Sequence, residues 1–119
     1  MTPEIKSKQD ELEAIRQKLA EESHRIFGVF AESAKANAVY EEAKNQSLIF
    51  MFDEEKTKGF KRTESQRQSI YREEHKEKRL FRDLAKNEAD ATKSYINILG
   101  MMQSNLQTQL KLEIKEEQI

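Results

Sequence analysis

The chain has no cysteine and no tryptophan, one proline, and three glycines among 119 residues. Without cysteine there is no disulfide framework, thiolate metal site or thiol nucleophile. The only proline is Pro3, so no interior position loses its backbone donor, and the abundance of Ala, Glu, Lys, Gln, Arg and Leu favours helix throughout. The longest apolar runs, 48–52 and 98–102, fall far short of the roughly 20 residues that span a bilayer. The first residues carry no signal-peptide core, and together these absences predict a cytoplasmic protein with no membrane segment. Charge of one sign is missing too: the net charge is −1, which gives no global pull toward nucleic acid or membrane.

What is present is charge in quantity, 36% of residues against 36% hydrophobic, a composition thin for a globule and suited to helices with a narrow apolar seam. Thr2-Pro3-Glu4 opens the first helix, with Thr as N-cap, Pro at the first helical position and an acid at the positive end of the helix dipole. Ile5, Leu12, Ile15, Leu19 and Ile26 then recur at spacings of three, four or their sums. A small-residue tract follows (Ala31, Ala34, Ala36, Ala38, Ala43), and Gly28 before it predicts a slight kink or a tight helix crossing. Gly59 suits the left-handed residue that closes a helix, and Thr63 with Gln66 forms a capping box for the next one.

The pattern therefore predicts one all-α domain: helix 3–57, turn 58–62, helix 64–117, a long antiparallel hairpin of coiled-coil type. With the turn near Lys61, position i lies opposite about 122 − i. The second seam reads as Ile70, Leu80, Phe81, Leu84, Ala91, Tyr95, Ile98, Met102, Leu106 and Leu110, which sets the alanine tract against Leu80, Phe81 and Leu84. Two helices joined along one seam leave other apolar faces bare. Assembly into a four-helix or larger bundle, a two-fold dimer first of all, is expected through Ile26, Phe27, Phe30, Tyr95, Ile98, Leu99 and Met102.

Positions 56–82 hold ten cations against four acids, about +6 on a nearly neutral chain. Two readings stand. Lys58, Lys61, Arg62, Arg67 and Arg72 are positioned for nucleic-acid phosphates, with Phe60 available to stack; alternatively the stretch is a solvated helix face of i,i+4 pairs. Glu21 and His24 have the Glu-x-x-His spacing of helical di-metal sites, but Arg72 stands three residues before the other histidine, His75, and a second motif is lacking. No metal or other cofactor is expected. The absence of a nucleophile elbow or a phosphate-cradling Gly-rich loop argues against an enzyme.

Tyr40-Glu41-Glu42-Ala43-Lys44, Lys61-Arg62-Thr63-Glu64-Ser65-Gln66-Arg67, and Glu88-Ala89-Asp90-Ala91 leading to Leu99 and a Leu-spaced tail resemble a loose family of small helical phage proteins. Those are encoded in replication and recombination modules, near single-strand-annealing recombinases and single-strand-binding proteins. The resemblance covers about 40–110 and implies an accessory role in DNA metabolism, with no active site to carry over. The other reading is a protein-protein interaction module, such as an adaptor or an inhibitor of a host protein, that binds no nucleic acid. Its protein partner is unspecified by the sequence.

Overall fold

The structure, a computed structural model, describes residues 2–118, and its elements are α1 (Pro3–Lys58), α2 (Glu64–Glu74) and α3 (Lys76–Glu117). No strand occurs among the described residues. The chain is an all-α helical hairpin that divides into two compact units. One joins the residues up to Gly28 with those from Ala89 on; the other is Val29–Glu88.

In the first unit the start of α1 packs antiparallel on the end of α3. Thr2 caps α1: its hydroxyl accepts from the Ile5 N–H (3.2 Å) and its carbonyl from the Lys6 N–H (3.1 Å). Ile5, Leu12 and Ile15, with Leu19 at their edge, meet Leu99, Leu106 and Leu110 in one aliphatic cluster. Burial of that kind contributes about 1.5–3 kcal/mol for each large side chain. Lys8 paired with Glu113 and Arg25 bonded to the Thr92 hydroxyl (3.3 Å) set the antiparallel alignment.

The second unit is built on different chemistry. Ala36, Tyr40, Ala43, Ser47, Met51 and Glu55 are the buried positions of α1 in this unit, at the three- and four-residue spacings of one helix face. Opposite them only Tyr71 is a buried hydrophobic residue, and the other partners are polar. The Arg82 guanidinium lies 4.3 Å from the Tyr40 ring centre, His75 reaches Ser47, and Arg67 reaches Glu55. All three pairs obey the 122 − i alignment of about the expected hairpin.

Two expectations are corrected. The returning seam is displaced by one position from the expected one: Tyr71 is buried in place of Ile70 and Leu99 in place of Ile98, while Leu106 and Leu110 hold. Leu80, Phe81 and Leu84 consequently point away from the alanine tract, Phe81 with 64% of its surface exposed. Both registers are apolar between 95 and 102, so periodicity alone does not choose between them. Second, the expected 64–117 helix is interrupted at His75, whose ψ of 32° leaves the helical range although its N–H still bonds to the Tyr71 carbonyl (3.0 Å). At Gly28 α1 is continuous, and a Cβ there would meet nothing within 4 Å, so of the two alternatives the tight crossing is not what this glycine serves.

Candidate nucleic-acid interface

The turn expected to carry the interface is held by its own charges. Gly59 adopts φ +72°, and its N–H and that of Phe60 both return to the Glu55 carbonyl (3.0 and 3.1 Å). Thr63 and Gln66 form the capping box in both directions: the Gln66 N–H donates to the Thr63 hydroxyl (3.1 Å) and the Thr63 N–H to Gln66 Oε1 (2.8 Å). Between these caps Glu55, 6% exposed, accepts from Arg67 through Nε (3.1 Å) and Nη2 (2.7 Å) and from the Arg62 main chain (3.0 Å). Arg62 Nη2 also donates to Glu54 Oε1 (2.5 Å). The two guanidiniums lie over Phe60 (Arg62, 4.8 Å) and Phe52 (Arg67, 4.5 Å).

This network tunes its members. The Arg67 side chain bonded to Glu55, aided by the Arg62 N–H, holds that carboxyl at about 2, below its ordinary 4.5, and overcomes the opposing effect of burial. Arg62 likewise lowers Glu54 through its side-chain hydrogen bond, and Glu54 and Glu55 raise Arg62 and Arg67 in return. Of the five cations assigned to nucleic acid, Arg62 and Arg67 are therefore engaged within the turn. Lys58 lies 4.0 Å from Glu54 with most of its side chain in solvent, and Lys61 is exposed.

Arg72 belongs to a different place. Lys76 and Arg79 follow it across the His75 interruption, and with Lys44 of α1 they border an open groove of about 480 Å³ in the second unit. Tyr40 and Tyr71 are among its walls; Arg82 lies over the first, and Lys44 Nζ is 5.4 Å from the ring centre of the second. The two acids of the lining are already matched, Glu41 with Lys44 (3.8 Å) and Asp83 with Arg82 (2.9 Å). Arg72, Lys76 and Arg79 make no ion pair among the described residues. Three cations beside a concave surface, with no carboxylate to neutralise them, attract an anion of several charges. Lys44 and the tyrosine floor were missed in the sequence, although the 122 − i alignment of about the whole hairpin sets position 44 opposite 78 and 40 opposite 82.

At the His75 interruption, Ser47 Oγ lies 2.6 Å from His75 Nε2 and donates to Glu74 Oε2 (3.1 Å). With the Ser47 hydroxyl proton directed to Glu74, the hydroxyl oxygen is left to accept from the Nε2–H tautomer of the imidazole. Glu74 meets the serine and not the imidazole, so the chain of bonds that activates a triad serine is not assembled; the cluster anchors the break in the helix. No group of three or more His, Cys, Asp or Glu side chains converges for a metal among the described residues, and none of their helices is long and apolar enough to cross a membrane.

The residues assigned to self-association separate. Leu99 is in the aliphatic core with 4% exposed, and Ile26 is half-buried. Phe27, Tyr95, Ile98 and Met102 in the first unit, and Phe30 in the second, are exposed. In comparison with known proteins, no family model, no curated protein and no solved structure matches the chain.

Proposed function

We propose that the protein is a non-enzymatic accessory of DNA replication or recombination, of the phage type its sequence resembles, which holds a nucleic-acid backbone in the basic groove of the second unit. The supporting observation is the set Arg72, Lys76 and Arg79, which lack carboxylate partners beside the paired Lys44 and Arg82. Cations already spent on structure are poor ligands for phosphate, and these are not spent. Such a protein works in the cytoplasm of the host cell.

The test is fluorescence anisotropy with labelled single-stranded and duplex DNA at low salt. Three phosphate contacts give a slope of log affinity against log salt of about −2 for single strands to −3 for duplex. Arg72→Glu and Lys76→Glu together abolish binding on this reading, whereas Lys58→Glu, at the turn, changes it little. Absence of binding by the unaltered protein, or binding indifferent to the double substitution, rejects the reading. The adaptor or inhibitor alternative is favoured by one observation, the exposed Leu80, Phe81 and Leu84 of the same unit; under it, Leu84→Glu removes activity in the host while DNA binding is absent throughout.

A further inference from the structure

One exposed flank of α3 in the first unit is unusual in what it omits. From 94 to 110 no side chain is charged, in a chain where 36% of residues are. The side facing α1 has no need of charge, because Leu99, Leu106 and Leu110 are buried there. On the flank beside that face Tyr95, Ile98, Met102, Asn105 and Gln109 are exposed, and they are equally uncharged. The α1 segment across the seam behaves as a solvated helix should: its exposed positions carry Glu4, Lys6, Glu11, Glu13 and Lys18. Contact with water alone would not leave one helix of the pair charged and the other neutral. The exposed stripe also repeats at three and four residues, a second seam with the period of the first.

We propose that this stripe pairs with the same stripe of a second copy of the chain, antiparallel, with Met102 at the two-fold axis. The charge pattern selects the occupant. A neutral face offers no counter-ion to a charged partner, and against its own copy it strands no unpaired charge. Antiparallel pairing about Met102 makes the two uncharged stretches coincide, because 94 and 110 lie equally far from 102 in sequence. Lys93 and Lys111 bound the stretch, and neither falls on the 95, 98, 102, 105, 109 stripe. In this register Tyr95 stands level with Gln109 of the other copy, an amide for its phenol, and Met102 meets Met102, flexible enough to fill the centre. The contact is about 25 Å long at 1.5 Å rise per residue. Two helix pairs joined this way form a four-helix bundle over the first unit.

Light scattering coupled to gel filtration tests the proposal together with cysteine cross-linking, for which the cysteine-free chain is a clean background. The unaltered protein is expected to reach a dimer mass as concentration rises. Ile98→Glu, and independently Gln109→Glu, which removes no apolar packing, should return it to monomer with helical circular dichroism intact. Met102→Cys should form a linked dimer on mild oxidation, while Glu13→Cys on α1 does not. Tyr95→Cys should link to Gln109→Cys in a mixture but not to itself. A monomer at every concentration overturns the proposal, as does a dimer untouched by both glutamates. Self-linking of Tyr95→Cys as fast as that of Met102→Cys overturns the antiparallel arrangement.

Discussion

Glu55, on α1, carries the end of the hairpin by accepting from donors in the turn and beyond it, the Arg62 N–H and the Arg67 guanidinium of α2. Its folded pKa of about 2 lies below the ordinary 4.5, so its contribution is fully present above 4.5 and is lost as pH falls toward 2. Melting temperature should therefore decline between those pH values, and Glu55→Gln should lower it at neutral pH while flattening that acid decline; thermal melts followed by circular dichroism at pH 7, 4 and 3 read both effects. Leu99 makes the opposite kind of contribution, without any charge. Leu99→Ala should cost about 2–5 kcal/mol, since the aliphatic cluster around it has no polar substitute for the lost contacts, and urea denaturation measures it. Thr2, Thr63 and Gln66 were legible as caps because capping chemistry is local and tied to residue type. Glu55 was not, because a glutamate one turn before a helix end looks like any surface glutamate until the chain folds back on it.

At the scale of elements, two glycines in helical surroundings have opposite requirements. Gly59 has φ +72°, where any Cβ crowds its own carbonyl, whereas Gly28 sits inside α1 with open space around it. Gly59→Ala should destabilise by about 1–2 kcal/mol, and Gly28→Ala should stabilise by up to about 1 kcal/mol through helix propensity. Chemical denaturation of both variants checks the pair of signs. The helices, their antiparallel return and the turn were all readable from period and punctuation. Which stripe of α3 faces α1 was not: Tyr95, Ile98 and Met102 are as apolar as Ile96 and Leu99, so periodicity alone does not choose between the two faces. The break at His75 also left no trace in the sequence: a helical pattern treats the imidazole as just another polar position, and only in the fold does Ser47 of α1 lie beside it.

For the whole molecule, the two units reach stability by different means, one through aliphatic packing and the other through tyrosines, arginines and a buried carboxylate. This division explains how the candidate interface escaped a linear reading. The surplus of Lys and Arg at 56–82 was visible, but its members have separate fates: Arg62 and Arg67 close the turn, Arg82 covers a tyrosine, and Arg72, Lys76 and Arg79 border the groove without an ion pair among the described residues. Counting charge does not separate cations that are consumed from cations that are available; only their partners do.

The Glu55 clamp has a consequence for the order in which the chain assembles. Its bond to Arg67 closes a separation of 12 residues, that of Ser47 to His75 one of 28, and that of Lys8 to Glu113 one of 105. Loop-closure entropy rises with the logarithm of separation, so the polar end is the least costly place to begin, and the aliphatic end follows once the intervening chain is aligned. Stopped-flow kinetics should then find that Arg67→Ala chiefly slows folding, while Leu106→Ala leaves the folding rate nearly unchanged and speeds unfolding. On that account the ion pair at the turn is a starter for the fold, and the leucines at the far end are the latch that keeps it shut.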